Sequence, residues 1–253
     1  MPTDRLFLVM KTPLIMAGGA YLAGASFHSG GLWLTMGLAS LIWLLLYGLN
    51  ESADAACERG LVSAGRYQYW LLGVPLALGV SAAWIDPRAS AYLLLMVAAQ
   101  VAYTLPPFRG KRHWALVVLI SGTLNPLLRL QAGAVFGPQA IPLQGYASLV
   151  LLHVGGALRT RLLRKERDLR LGYHTVPDEA RYVGAAVTIL GLLGLGMMGR
   201  TGALPPLFAI YALLCLPFAI YVWSSRVPDV VVLRKAWLVL AVLALPALLF
   251  LSR

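Results

Sequence analysis

The chain has 253 residues, of which 59% are hydrophobic and only 12% are charged, whereas soluble domains contain about 45–50% apolar and about 25% charged residues. This composition excludes a soluble Rossmann fold, a β-sandwich and a disordered tail, and it predicts a single polytopic membrane domain over residues 1–253. The net charge of +11 does not indicate a nucleic acid partner. The basic residues lie in loops between apolar runs, where membrane topology and contact with lipid headgroups account for them.

Repeated apolar windows of about 19 residues predict nine transmembrane helices. The windows are 6–26, 32–49, 68–84, 89–105, 114–135, 143–160, 181–199, 203–223 and 231–251. A transmembrane β-barrel would need short segments of strict alternation between apolar and polar residues, and these runs do not alternate. The predicted fold class is therefore an all-α integral membrane protein.

The loops between the windows differ in charge, and this difference predicts an orientation. Sixteen of the 21 basic residues lie at the N-terminus or in the loops after the second, fourth, sixth and eighth windows. The positive-inside rule therefore puts the N-terminus in the cytoplasm and the C-terminus outside. Lys11, Asn125, Arg129 and His153 lie within windows, where a polar group usually faces the interior of the helix bundle.

Acidic residues concentrate in two of the predicted cytoplasmic segments, at Glu51, Asp54, Glu58, Glu166 and Asp168. If the second helix continues past its apolar part, Asn50, Asp54 and Glu58 lie at i, i+4 and i+8 on one face, with Glu51 beside them. Stacked carboxylates repel one another unless a cation binds, and hard oxygen ligands suit Mg²⁺. The alternative is a solvated helix end whose acidic side chains face water.

A basic turn follows the fourth window. Pro106 and Pro107 end the helix, and Arg109, Lys111 and Arg112 come directly after them. A fixed basic turn near an acidic segment suits a diphosphate, since Mg²⁺ bridges its oxygens while Lys and Arg neutralise the remaining charge. The alternative is a positive loop that serves only to orient the chain in the membrane.

Three motifs together resemble those of the UbiA superfamily of intramembrane prenyltransferases. They are the segments 50–58, 103–111 and 168–177, which follow the second, fourth and sixth windows. The resemblance implies nine helices around a central cavity that opens to the cytoplasm of a bacterial or archaeal cell. It also implies a Mg²⁺-dependent transferase of isoprenoid biosynthesis, which ionises an isoprenyl diphosphate and passes the prenyl group to an aromatic or lipid acceptor.

The resemblance assigns roles to particular residues of this chain. The implied metal ligands are Asn50, Glu51, Asp54, Glu58 and Asp168. The implied diphosphate contacts are Lys11, Arg109 and Lys111, and Arg161 and Arg164, at which the chain departs from the family, are predicted from their own chemistry to contact the diphosphate as well. Tyr103 belongs to the segment 103–111, and its aromatic face, like those of Trp43 and Tyr47, either stabilises an allylic cation through cation–π attraction or only packs within the bundle.

The chain departs from the family pattern in both acidic motifs. Glu51 and Glu58 stand where the family has Asp, while Arg161 and Arg164 precede Asp168 where the family has further carboxylates. A second Mg²⁺ is therefore not expected, and the arginines either bind the diphosphate directly or only add to a positive loop. Two other functions stay open: a UbiA-type terpene cyclase that uses no acceptor, and a non-catalytic lipid-binding homologue.

Overall fold

The computed structural model describes residues 3–58, 65–105 and 108–224, and over these residues the chain forms helices and no strand. Short 3-10 turns cover Ala82–Trp84 and Gly110–Arg112. The α-helices are α1 Thr3–Leu22, α2 Gly30–Glu58, α3 Gly65–Ser81, α4 Pro87–Thr104, α5 Trp114–Val117, α6 Asn125–Ala134, α7 Leu143–Leu163, α8 Lys165–Arg170, α9 Ala180–Arg200 and α10 Leu207–Ser224. The all-α fold class is thereby confirmed.

Helices occupy the positions of the first eight predicted spans, and the ninth, 231–251, lies outside the described residues. The fifth span contains a feature that the sequence did not predict, because the π-helical segment Val118–Leu124 joins α5 to α6. Among the described residues, four segments are long and apolar enough to cross a membrane: Gly30–Asp54, Trp114–Ala134, Ala180–Arg200 and Leu207–Ser224. The count of nine spans and the orientation stay predictions.

Glycines bring two pairs of helices into close contact. On α1 and α6, a Cβ atom added at Gly19 or at Gly133 would overlap the backbone of the other helix. On α9, a Cβ atom at Gly191 would lie 2.8 Å from the side chain of Leu152 on α7. These contacts agree with the use of small residues in membrane helix packing, and they hold α1 against α6 and α7 against α9.

The two acidic motifs differ in their backbone conformation. Helix α2 runs through Asn50 and Asp54 to Glu58 without a break, as the absence of Pro and Gly after Leu49 predicts. Helix α7, in contrast, ends at Leu163, and Arg164 leaves the regular helical conformation with φ −98° and ψ 7° before α8 begins. The first motif is therefore a straight helical face, whereas the second contains a bend.

Candidate active site

The first motif and the basic turn meet around the side chain of Lys111. The 3-10 turn after α4 directs Lys111 onto α2, where its Nζ donates to Asp54 Oδ1 at 2.5 Å and to Asn50 Oδ1 at 3.3 Å. Lys111 is 3% exposed, while the side chain of Asp54 is 21% exposed. Two oxygens of the predicted metal site thus converge on one buried cation, and Asp54 keeps access to solvent.

A line of polar side chains extends from Asn50 into the bundle. Thr104 Oγ1 donates to Asn50 Oδ1 at 3.4 Å, and Gln100 Nε2 donates to Thr104 Oγ1 at 3.3 Å. Asn125 Nδ2 then donates to Gln100 Oε1 at 3.5 Å. The sequence analysis did not include Thr104 and Gln100 in the site. The available signal was their i, i+4 spacing within an apolar span, where polar side chains usually face a neighbouring helix.

The second acidic motif, the segment around Asp168 that is called the second motif from here on, forms a buried ion pair. Arg161 donates from Nη1 to Asp168 Oδ2 at 3.0 Å and from Nη2 to the hydroxyl oxygen of Tyr103 at 2.7 Å. Arg161 is 6% exposed and Asp168 is 5% exposed. The residue that stands in place of an expected carboxylate is therefore the direct partner of Asp168. Tyr103 binds this guanidinium through its hydroxyl group and links the second motif to the end of α4.

The arginine face predicted beside Asp168 is only partly present. The sequence places residues 161, 164, 165 and 168 on one helical face, but the bend at Arg164 interrupts that face. Lys165 instead donates to Asp178 at 2.7 Å on the surface. Arg164 itself is half-buried. Arg161 is thus the basic residue of this segment that the structure brings to Asp168.

The basic turn and the segment after α8 also contact each other directly. The backbone N–H of His174 donates to the carbonyl oxygen of Arg112 at 2.8 Å. The rings of His113 and His174 stack with centroids 4.6 Å apart and planes inclined by 16°. No local pattern predicts this contact, because the two residues lie in separate loops that only the tertiary fold brings together.

The structure also gives the positions of Arg109 and Glu51. Arg109 has φ 40° and ψ 53°, a left-handed conformation that costs a non-glycine residue about 1–2 kcal/mol, and its side chain is half-buried. Glu51 is half-buried on α2. The side chain of Glu58 lies outside the described part of the chain, and so do Pro106 and Pro107.

Lys11, predicted to contact the diphosphate, lies on α1, and its contact with the diphosphate stays a prediction. Arg129, which is buried on α6, is the other basic residue predicted within a span. The guanidinium of Arg129 stacks on the ring of Trp43, with 3.7 Å between its Cζ and the ring centroid. Arg129 therefore covers one face of the Trp43 ring, which was predicted to stabilise an allylic cation.

In both acidic motifs a basic side chain already lies against the carboxylate that is the predicted metal ligand. Asn50 and Asp54 already share one cation, the ammonium group of Lys111, so their geometry permits joint coordination. Within the described residues no three His, Cys, Asp or Glu side chains converge, and a Mg²⁺ ion at Asp54 would need oxygens from its substrate or from water. Arg161 binds Oδ2 of Asp168, and the role of Asp168 as a metal ligand stays a prediction.

A cavity of about 400 Å³ lies at the opposite end of the bundle. Its lining includes Arg88 and Tyr92 near the start of α4, with Gln131 and Tyr146 from α6 and α7. Thr104, at the other end of α4, contacts the first motif. This cavity is therefore separate from the motifs, and the cavity that the resemblance implies beside them stays a prediction.

Several solved structures are similar to this chain over nearly its whole length. A UbiA homologue from Archaeoglobus fulgidus bound to DMAPP and Mg²⁺ has 17% sequence identity and a TM-score of 0.67, and the match covers 97% of this chain and 98% of the other. This chain has the UbiA fold. The same homologue bound to GPP and Mg²⁺ gives 18% identity and a TM-score of 0.66 over the same shares of the chains.

A structure described as a digeranylgeranylglyceryl phosphate synthase is also similar, at 15% identity and a TM-score of 0.64, over all of this chain and 99% of the other. No protein-family model and no curated protein matches the sequence. The UbiA fold therefore rests on shape, and the chemistry of this chain has to be argued from its own residues.

Proposed function

We propose that this chain is an intramembrane prenyltransferase of the UbiA superfamily, which ionises an isoprenyl diphosphate and transfers the prenyl group to an acceptor. The observation that carries this proposal is the convergence of Asn50 and Asp54 with Lys111 at 2.5–3.3 Å. It joins the end of helix α2 and the turn after α4 into one site with both acidic and basic groups. The UbiA fold supports the proposal, since neighbours at 17–18% identity bind DMAPP or GPP with Mg²⁺.

The metal in this proposal is a single Mg²⁺ ion at the first motif. Asn50 and Asp54 would hold it, with Glu51 and Glu58 nearby on the same helix, and bound Mg²⁺ would stabilise the negative charge of the leaving diphosphate. Arg161 takes the place of a second ion, because its guanidinium already neutralises Asp168. Asp168 is then a positioning residue for Arg161 rather than a metal ligand.

The basic residues of the chain act on the leaving group. When the allylic C–O bond breaks, its electron pair goes to the diphosphate oxygen, and positive charge placed there in advance lowers the barrier. Lys111 is held at this position by Asp54, and Arg109 is fixed next to it by the left-handed turn. Arg161 and Arg164 contribute from the second motif, where the planar guanidinium group suits phosphate oxygens.

Tyr103 and the surrounding helices act on the carbon skeleton. Tyr103 is fixed by Arg161 through its hydroxyl oxygen, which leaves its ring available to the allylic cation. The apolar tail would lie between helices, where water is excluded and does not capture the cation. The nucleophilic atom of the acceptor then forms the new bond to carbon and loses its proton.

This function requires an integral membrane protein whose motifs face the cytoplasm. The apolar segments Gly30–Asp54 and Ala180–Arg200 support membrane insertion. The loop charges support nine spans with the N-terminus inside and the C-terminus outside, in a bacterial or archaeal cell membrane. Membrane lipid and an aromatic or lipid acceptor are the proposed partners.

Product analysis tests the proposal. Purified protein is incubated with C10, C15 or C20 prenyl diphosphates and Mg²⁺, with and without candidate acceptors, and the organic extract is examined by mass spectrometry. A prenylated acceptor is the expected product. A cyclised hydrocarbon formed without acceptor would instead indicate a terpene cyclase. The ion pair between Asp168 and Arg161 favours this second function, because a paired Asp168 is less available to an acceptor and a cyclase uses none. No turnover with any combination would contradict both functions and favour a non-catalytic lipid-binding protein.

A further inference from the structure

Four polar side chains form a line of hydrogen bonds from the proposed metal site into the bundle. The line runs from Asn50 on α2 through Thr104 and Gln100 on α4 to Asn125 on α6, and we call these four residues the polar chain. The last three are each 5% exposed or less. Their polar groups therefore have to satisfy one another, because burial of an unpaired amide or hydroxyl group is costly.

Lys111 determines the direction of the first hydrogen bond in the polar chain. Its ammonium group is a donor only, and Nζ lies 3.3 Å from Oδ1 of Asn50. The amide of Asn50 must therefore turn its oxygen, and not its nitrogen, toward Lys111. The same oxygen lies 3.4 Å from Oγ1 of Thr104, so the hydroxyl group of Thr104 has to donate its only proton to Asn50.

The direction is then fixed along the rest of the polar chain. Oγ1 of Thr104 has given its proton to Asn50 and accepts from Gln100, which presents its Nε2 at 3.3 Å. Oε1 of Gln100 consequently faces Asn125 and needs a donor, which is Nδ2 of Asn125 at 3.5 Å. Every donor in the polar chain thus points toward Asn50, and hydrogen bonds in such a series strengthen one another.

The far end of the polar chain is left with an unpaired acceptor. Oδ1 of Asn125 is buried and has no donor among the described residues, which costs free energy. Rotation of this amide would not relieve the cost, because Oδ1 would then lie against Oε1 of Gln100. The fold therefore keeps an unsatisfied oxygen at Asn125, while the oxygen of Asn50 receives two donors.

The backbone before Asn125 departs from a regular α-helix. The π-helical segment Val118–Leu124 ends directly before this residue, where α6 begins. Such segments are rare and are frequent at functional sites. Helix α6 packs on α4, so the change from π-helix to α-helix at Asn125 helps to determine which side chain of the span faces Gln100.

We infer that the polar chain positions the amide of Asn50 with its oxygen toward the bound cation. This inference rests on the proposed function, in which that cation is Mg²⁺ held by Asn50 and Asp54. A hard cation binds a side-chain amide through its oxygen, and an Asn side chain that rotates presents its nitrogen instead. The hydrogen bond from Thr104 opposes that rotation.

Gln100 and Asn125 act one step further from the cation. A threonine hydroxyl group within a helix is able to turn and donate to the backbone carbonyl four residues earlier. Nε2 of Gln100 takes one acceptor site of Oγ1, which keeps the proton of Thr104 directed at Asn50, and Asn125 holds Gln100 in the required orientation. All three are positioning residues, because they reach the cation only through Asn50.

Metal binding tests the inference without relying on turnover. The affinity for Mn²⁺ of the protein in phosphatidylcholine nanodiscs is measured by electron paramagnetic resonance without diphosphate. Thr104→Val, which removes the hydroxyl group at nearly constant size, should weaken Mn²⁺ binding about 5- to 10-fold. Thr104→Ser, which keeps the hydroxyl group, should bind as the wild type does. Gln100→Met should weaken binding less than Thr104→Val, because the hydroxyl group of Thr104 is still present.

A matched control lies on the same helix. Ser90 is also buried on α4, and its Oγ donates to the carbonyl oxygen of Gly79 at 2.7 Å, near the end of α4 that is remote from Thr104. Ser90→Ala removes a buried hydroxyl group and its hydrogen bond, as Thr104→Val does. It should leave the affinity for Mn²⁺ unchanged.

A second background separates positioning from a purely structural role. Asn50→Asp replaces the amide with a carboxylate, which presents an oxygen in either orientation. In this background Thr104→Val should no longer weaken Mn²⁺ binding. An equal loss in both backgrounds would show that Thr104 only supports the packing of the helices, and it would overturn the inference. Equal Mn²⁺ affinity for wild type and Thr104→Val would overturn it as well.

The same measurements distinguish this inference from the proposed function. Wild-type protein whose Mn²⁺ binding depends on Asp54 and Thr104, but which converts no prenyl diphosphate, would contradict the prenyltransferase and retain the positioning role. Wild-type protein that prenylates an acceptor, together with unchanged Mn²⁺ affinity in Thr104→Val, would retain the prenyltransferase and remove the positioning role.

Discussion

Removal of Arg161 is expected to destabilise the protein strongly, because it leaves the carboxylate of Asp168 buried without a partner. The two side chains are each 7% exposed and lie 3.0 Å apart. Breaking one partner of such a pair costs about 3–5 kcal/mol, a large share of a total stability of about 5–15 kcal/mol. Arg161→Leu should therefore lose about 3–5 kcal/mol, whereas the double variant Arg161→Leu with Asp168→Leu should lose at least about 2 kcal/mol less.

The free energy of unfolding is measured by titration with SDS in mixed micelles. A matched control lies close by, since Lys165 and Asp178 form an exposed pair at 2.7 Å, and Lys165→Leu should cost no more than about 1 kcal/mol. If Arg161 takes the place of a metal ion, Mg²⁺ should restore part of the stability of Arg161→Leu and leave the wild type unchanged. A loss for Arg161→Leu as small as that for Lys165→Leu would refute the reasoning.

Three other perturbations address the metal site, the packing and a helix cap. Lys111→Met should free the oxygens of Asp54, so that Mn²⁺ binds about tenfold more tightly without diphosphate, as measured by electron paramagnetic resonance. Geranyl diphosphate should bind more weakly to the same variant. An unchanged Mn²⁺ affinity would contradict the idea that Lys111 and the metal ion compete for the oxygens of Asp54. Gly133→Leu should cost about 1–3 kcal/mol or more by overpacking, whereas Gly156→Leu, which faces open space, should be nearly neutral in the same SDS titration. Asp86→Ala should cost about 1 kcal/mol, because this side chain caps α4. The hydrogen bond from Arg88 holds the pKa of Asp86 below its usual value. The stabilisation by Asp86 is therefore complete above about pH 4 and is lost as the pH falls through the lowered pKa of the folded state. A difference in unfolding free energy between wild type and Asp86→Ala that does not change with pH in this range would argue against the cap.

Local patterns predicted the helices and the first motif well. The apolar windows anticipated the first eight helices, and the uninterrupted run after Leu49 anticipated that α2 continues through Asp54 to Glu58. Both results depend on helical periodicity and on the absence of helix breakers, which are properties of short segments. The meeting of Asp54 with Lys111 also followed, because two motifs of opposite charge were expected to share one ligand.

The partners of the remaining charges depended on tertiary structure. Nothing in the sequence indicates that Arg161 binds Asp168 and Tyr103, since the bend at Arg164 determines that geometry. The stacking of Arg129 on Trp43 depends likewise on how three helices pack. Spacing along one helix predicts which side chains share a face, but it does not predict which residue of another helix will neutralise them.

The central claim is that Asp54 enables a Mg²⁺-dependent ionisation of an isoprenyl diphosphate. The most direct measurement is the initial rate of inorganic diphosphate release from geranyl diphosphate, in the presence of the acceptor that product analysis identifies, by purified wild-type, Asp54→Ala and Asp178→Ala proteins, with Mg²⁺ and with EDTA. We predict release by wild type and by Asp178→Ala with Mg²⁺ only, and none by Asp54→Ala although it folds and extracts normally. Full activity of Asp54→Ala at saturating Mg²⁺, or equal rates for the wild type with EDTA, would contradict the account.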